Sequence, residues 1–151
     1  MKTQFFSSLG ARGQAGMTLT ETLVSVALTV LTISGTINGY ILSTNRAEWS
    51  AQSLAAHSMV LQRLEQVRAA KWDTAAYPPV DQVTSDRFPA VTNVLDLPVA
   101  GTNIVMATVL TTISTISTAP PLKMVRVDCI WPYMSRGFFT NTVRCYRAPD
   151  Q

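Results

Sequence analysis

The pattern of apolar and polar positions divides the chain into three parts, of which the first is a long apolar run. Residues 22 to 42, TLVSVALTVLTISGTINGYIL, contain no charged side chain. The polar residues in the run are Thr, Ser and Asn, whose short side chains can bond back to carbonyls of their own helix. At 1.5 Å per residue, a helix of this length spans about 31 Å, close to the thickness of a bilayer core. The run therefore predicts a membrane-spanning helix.

Two other interpretations of the run fit less well. A secretory signal has an apolar core of about 7 to 15 residues and then a small-x-small cleavage site, for which the segment from Ser43 to Arg46 is a poor match. A buried helix of a soluble protein commonly has about 10 to 14 apolar residues. Lys2 and Arg12 precede the run. This charge distribution favours a cytoplasmic N-terminus and an exported remainder, although Arg46 opposes it.

The second part, residues 43 to 72, is polar but contains neither Pro nor Gly. The helix is therefore expected to continue as one rod to residue 72. Apolar residues recur at helical spacing and predict a stripe that faces a sheet. His57 lies on this stripe without a second His or a nearby Cys, so we assign it no ligand role. The stripe consists of Leu54, Val60, Leu61, Leu64 and Val67.

The third part, residues 73 to 151, has the period of two that is typical of strands. Residues 73 to 89 form a loop rich in Pro, Asp, Ser and Thr, and strands are predicted at 91–99, 104–118, 122–131 and 138–147. The segment 104–118 could form one strand or two. Alternation places one set of side chains inward, namely Val125, Val127, Cys129, Trp131, Phe139, Val143 and Cys145. The predicted fold class is α+β, a long N-terminal helix packed on a small antiparallel sheet.

The two cysteines, Cys129 and Cys145, are both expected on the inner face of this sheet. An exported head permits a disulfide, and closing a loop of this size would stabilise the head by about 3 kcal/mol. A tight turn at residues 134 and 135 would instead place Cys129 opposite Thr140. The bridge then needs a longer loop or a shifted register, so the sequence leaves it as a possible disulfide.

Composition and charge limit the classes of function that the chain could have. With 47% apolar and 14% charged residues, the 151-residue chain suits one folded domain rather than a disordered tail. The net charge is +3, but without the first sixteen residues it is +1, so bulk charge predicts no nucleic-acid partner. Two Cys and one His do not supply a zinc site, and we predict no metal and no cofactor. No catalytic motif is present, so the chain is not expected to be an enzyme.

One acid lies at the edge of the apolar run. A carboxylate at this position, Glu21, is unfavourable in hydrocarbon unless it is paired or protonated. Cleavage after Gly16 would create a positive amine on Met17, four residues before Glu21 and one helical turn away. The amine could also belong to a neighbouring copy of the chain. Alternatively, Glu21 only complements the dipole at the N-terminus of the helix.

These residues carry a family resemblance. The string Gly-Met-Thr-Leu-Thr-Glu-Thr-Leu-Val from Gly16 to Val24, between a short basic leader and an apolar helix, resembles the cleavage and methylation motif of type IV prepilins and type II secretion pseudopilins. The resemblance implies that a prepilin peptidase removes residues 1–16 and methylates the amine of Met17. It also implies that Glu21 neutralises the amine of an adjacent subunit during assembly. Thr20 and Thr22 depart from the family pattern, as does Met17, where Phe is commoner.

The resemblance also implies partners and a location. Besides the peptidase, these are other pilin or pseudopilin subunits and an assembly platform in the bacterial inner membrane. Residues 17–42 would be the transmembrane and assembly helix, and 43–72 its amphipathic continuation. Gly35 and Gly39 form a small-xxx-small pair that suits helix packing or a flexible point. The chain length and the C-terminal hairpin favour a minor subunit.

Two alternatives from other classes stay open. The chain could be a single-pass membrane-anchored exported domain that never assembles and keeps its leader. It could also be a DNA-binding minor pilin, which would use basic and aromatic residues of the head. The residues considered for that role are Arg126, Arg136, Arg144 and Trp131.

Overall fold

The computed structural model describes residues 18–95, 97 and 104–150. The cleavage-site residues Gly16 and Met17 and the leader lie outside the described residues, as does part of the predicted strand 91–99. The described chain contains one long helix followed by antiparallel strands, which confirms the α+β prediction. The described residues divide into two compact units, one that ends at Ser43 and one that begins at Thr44.

The helix, α1, extends over Leu19–Ala69 and is 51 residues long. It ends three residues before the predicted boundary at Trp72, because the backbone beyond it bonds elsewhere. The carbonyl of Lys71 accepts a hydrogen bond from the Gln82 N–H, at 2.9 Å. The carbonyl of Trp72 accepts one from the Asp150 N–H, at 2.6 Å. These tertiary bonds stop the helix where the local sequence alone would continue it.

The strands form two antiparallel sheets. The smaller sheet pairs β1 (Trp72–Asp73) with β2 (Val80–Asp81). The larger sheet has the sequential order β3-β4-β5-β6. The four bounds are Val91–Val94, Met106–Thr118, Pro121–Pro132 and Phe138–Arg147. Residues 106–118 thus form one strand rather than two, with a register shift between Thr115 and Ser117.

The predicted faces of β5 are confirmed. Its inward residues Val125, Val127, Cys129 and Trp131 are fully buried. Cross-strand pairing of Val109 with Cys129, and of Trp131 with Phe139, extends this face over the neighbouring strands. Period-two alternation determines which side chains share a face once the pairing is fixed. The core of residues 44–151 therefore lies between this face and the second half of α1.

The predicted apolar stripe of α1 is only partly correct. Val60, Leu64 and Val67 are buried against the sheet. In contrast, the side chain of Leu54 is 71% exposed and that of Leu61 is 43% exposed. At about 100° per residue, Leu61 points away from the direction of Val60. The buried face instead includes Gln52 and Ala56, which share helical spacing with Val60.

A buried lysine attaches the small sheet to the large one. The ammonium of Lys123, on β5, donates to the Asp81 carboxylate and to the Val83 carbonyl, the latter at 2.7 Å. It also lies 4.9 Å from the ring centroid of Trp72. A buried ammonium requires such partners because desolvation disfavours its charge. Lys123 therefore holds the β1–β2 segment against the core.

The end of α1 is bound by residues that follow β6. The guanidinium of Arg147 donates to the carbonyl of Val67 and, at 2.9 Å, to the carboxylate of Asp150. The other oxygen of Asp150 accepts the N–H of Trp72, at 2.8 Å. A cation at a helix C-terminus also complements the dipole there. The last turn of α1 is thus capped by side chains about eighty residues away in sequence.

The structure does not form the disulfide that the sequence left possible between Cys129 and Cys145. Both cysteines are free, with Cys129 buried and Cys145 half-buried. Cys129 pairs with Asn141 across the β5–β6 ladder, whereas Cys145 pairs with Val125. The two therefore stand four positions apart, or about 13 Å along the strands, well beyond the reach of a disulfide. The shared face was predicted correctly, and the register, set by the turn, separates the thiols.

Candidate membrane and assembly segment

The first half of α1 exposes nearly all of its apolar surface. Its most apolar 18-residue window has a mean hydropathy of 1.5, and none of that window is buried. By length and composition the helix can cross a membrane. An exposed apolar surface of this kind is compatible with a membrane-spanning segment. The large apolar residues, each at least 51% exposed, are Leu19, Leu23, Val24, Val26, Leu28, Val30, Leu31, Ile33, Ile37, Tyr40, Ile41 and Leu42.

The polar residues of this segment turn their bonding groups back onto the helix. The hydroxyl of Thr29 donates to the Ser25 carbonyl at 2.7 Å. The Thr32 hydroxyl donates to Thr29, and the amide of Asn38 to Ser34, at 2.8 and 2.9 Å. These donor groups are thereby satisfied without water, as the sequence predicted. The hydroxyls of Thr22 and Thr36 bond in the same way.

Gly35 and Gly39 lie on an open part of the helix surface. A Cβ added at either residue would meet no atom within 4 Å. Neither glycine is therefore required by contacts within the described chain. An open pair of this spacing lets a second helix approach closely. The structure thus leaves helix packing available as the role of this pair.

The helix begins two residues before Glu21. The carbonyl of Thr18 accepts the backbone N–H groups of Glu21 and Thr22, at 3.0 and 3.1 Å. Glu21 lies in the first turn, where its charge complements the helix dipole. Among the described residues no cation forms an ion pair with Glu21. Its predicted partner, the amine of Met17, lies outside the described residues.

Hydrogen bonds between the helix and the β5–β6 hairpin fix where the sheet lies along residues 45 to 53. The hydroxyl of Tyr133 donates to the Asn45 carbonyl at 2.6 Å. The amide of Asn141 donates to the Ser53 carbonyl at 3.0 Å and accepts the indole N–H of Trp131 at 2.9 Å. Sequence analysis missed these groups, since they meet across 88 residues and have no local signature.

An aromatic cluster fills the space between the same elements. The Trp131 ring stacks on Phe139 with centroids 5.3 Å apart, and Trp49 and Tyr133 approach both rings at 6.2 to 6.4 Å. Tilted and edge-on pairs at these distances are favourable. The cluster therefore holds the hairpin against the helix just beyond the apolar run.

The residues considered for DNA binding are only partly available. Trp131 is fully buried, so its ring cannot stack on a base. Arg126 is engaged by Asp128 at 2.9 Å. Arg136 and Arg144 remain exposed. Within the described residues, no group of three or more His, Cys, Asp or Glu is arranged to hold a metal ion.

Comparison of the chain with protein-family models, with curated proteins and with solved structures finds no match. The architecture itself, one long apolar N-terminal helix followed by an antiparallel sheet on its second half, is pilin-like.

Proposed function

We propose that the chain is a structural subunit, of the minor type, of a type IV pilus or type II secretion pseudopilus. In this proposal prepilin peptidase cleaves after Gly16, and the chain is held in the inner membrane by residues 17–42. An assembly machine in that membrane then moves it into a filament. The observation that carries the proposal is the exposed apolar half of α1, which starts beside Glu21 and follows the Gly16-Met17 motif.

Two further features support assembly rather than simple anchoring. A span that only anchors a domain needs no acid at its edge, where Glu21 is unfavourable unless paired. It also needs no glycine pair, since each Gly in a helix destabilises it by about 1 kcal/mol relative to Ala. Gly35 and Gly39 are both exposed to the surroundings of the span. In a packed assembly of helices, an acid can be paired with a charge on a neighbouring subunit, and small residues let the helices approach closely.

The first experiment is the intact mass of the protein from native membranes and from sheared surface filaments. We expect a chain that starts at methylated Met17. A chain that keeps Met1 in peptidase-competent cells, or is cut after residue 42, would contradict the proposal. Retention of the leader would favour the membrane-anchored alternative, and a salt-dependent shift of DNA would favour the DNA-binding one.

The second experiment separates processing from assembly. Glu21→Gln keeps the size of the side chain and one acceptor oxygen but removes the charge. We expect normal cleavage and loss of the chain from sheared filaments. Glu48→Gln, beyond the apolar run, is the matched control and should leave incorporation unchanged. Equal incorporation of the Glu21→Gln variant would exclude a charge role for Glu21.

A further inference from the structure

The outer face of the sheet carries an apolar row at one end. Val94 pairs with Met106, and Pro132 pairs with Phe138. Met106 lies two residues before Thr108, and Pro132 lies two residues after Ile130, the partner of Thr108, so both belong to the same face of the sheet. Val94, Met106 and Phe138 are 52%, 46% and 78% exposed. The next row is mainly threonine, with Thr92, Thr108 and Thr140 around Ile130.

The turn between β5 and β6 extends this row. Met134 is 54% exposed and has a φ of +46°, a left-handed conformation that is unfavourable for a side chain of this size. Arg136 is exposed and forms no ion pair with the described residues. The backbone is thus strained in a turn that presents an apolar and a basic side chain outward. We call Val94, Met106, Met134 and Phe138 the apolar rim.

The position of the rim along the helix follows from contacts within residues 44–151. At one end of the sheet Arg147, opposite Lys123, bonds to Val67. At the other end Tyr133 bonds to Asn45. From Lys123 to Tyr133 the chain therefore runs past α1 from the level of Val67 to the level of Asn45, the end at which the turn lies. In the sequence, the apolar run ends at Leu42, three residues before Asn45.

We propose that the apolar rim contacts the surface of the bilayer from which the chain emerges. Met134 and Phe138 enter the boundary between headgroups and acyl chains, and Arg136 binds lipid phosphates. The inference rests on the proposed membrane span. Apolar side chains beside a basic residue suit an anionic lipid surface. No acid lies between residues 129 and 149 to oppose it.

The test uses the full chain in liposomes of phosphatidylethanolamine with phosphatidylglycerol as the minor component. Benzoylphenylalanine replaces Phe138, and after irradiation mass spectrometry identifies adducts to lipid or to protein. Replacement of Tyr146 is the matched control, because this residue is 66% exposed on the same face at the far end of β6. Replacement of Leu31, 68% exposed within the apolar run, reports the span itself.

We expect lipid adducts at positions 138 and 31, with about tenfold fewer at position 146. Adducts from position 138 to a second copy or another protein, no adduct, or equal lipid adducts at 138 and 146 would each overturn the inference while position 31 still marks the span. If position 31 also lacks lipid adducts, the proposed span is wrong, and the inference fails with it.

A variant of the turn adds an independent measurement. Met134→Asn removes the apolar side chain and suits the left-handed conformation, so the fold should be retained or stabilised. We expect lipid adducts from position 138 to fall severalfold. Unchanged lipid adducts in a variant whose melting temperature equals or exceeds that of the parent would overturn the role of Met134 and of the turn at the lipid surface.

Discussion

The hydroxyl of Tyr133 donates a hydrogen bond to the backbone carbonyl of Asn45, and so joins the end of β5 to the helix at its exit from the apolar run. Tyr133 is only 2% exposed. Tyr133→Phe keeps the ring in the aromatic cluster and removes this bond. We expect a loss of about 1 kcal/mol in the free energy of unfolding, measured by urea denaturation of the full chain in detergent. Tyr146→Phe, at an exposed site, is the control, and equal losses in both variants would contradict the expectation.

Asn141 is expected to be more sensitive. Its amide connects the buried indole of Trp131 to the backbone of Ser53. Asn141→Ala leaves the indole N–H without its partner, which should lower the free energy of unfolding by about 1 to 3 kcal/mol. Thr140→Ala changes the neighbouring exposed residue and should have little effect. A variant as stable as the Thr140→Ala control would show that the network contributes nothing.

The stability of the fold should depend on pH through the carboxyl group of Asp150. The N–H of Trp72 and the guanidinium of Arg147 hold the pKa of the Asp150 carboxyl below its usual range. Because the pKa is lower in the folded state, the contribution of Asp150 is present above its unfolded pKa and is lost as the pH falls through its folded value. Asp150→Asn should therefore be less stable than the parent near neutral pH. The difference should vanish in strong acid, as measured by melting temperature against pH. A constant difference at all pH values would contradict this assignment.

Alkylation of the thiols tests directly whether Cys129 and Cys145 are free. In denaturant without reductant, both Cys129 and Cys145 should be alkylated, which mass spectrometry detects as two additions. If the two cysteines were alkylated only after a reductant was added, this would show that they form a disulfide. In the native chain we expect slow alkylation, because burial raises the pKa of both thiols, although Arg68 and Arg147 partly oppose this at Cys145. Cys145 is the more exposed of the two and should react first.

The sequence predicted strand faces well because a period of two depends only on the strand itself. The bounds of β6, residues 138–147, agree with the prediction, and β5 differs by one residue at each end. The helical period was less informative about which side chains of α1 are buried. Leu54 and Leu61 are seven residues apart, as are Val60 and Val67, and both pairs satisfy the same pattern. Only packing against the sheet decided that the second pair is buried.

The candidate site was predicted unevenly for a related reason. The apolar run, Glu21 and the glycine pair are local features, so the sequence displayed them directly. The attachment of Tyr133 to Asn45 and the separation of Cys129 from Cys145 depend on register across a turn. A turn of a few residues fixes that register, and its conformation includes the left-handed Met134 that alternation cannot predict.

The cap on the last turn of α1 has a consequence for the order of events as the chain is made. Val67 and Trp72 leave the ribosome well before Arg147 and Asp150, which are 80 and 78 residues later. Until these late residues emerge, the apolar positions of the helix have no completed sheet to cover them. The last turn of α1 therefore gains its cap only after residues 147 to 150 have been synthesised, and a chain that stalls earlier lacks this cap.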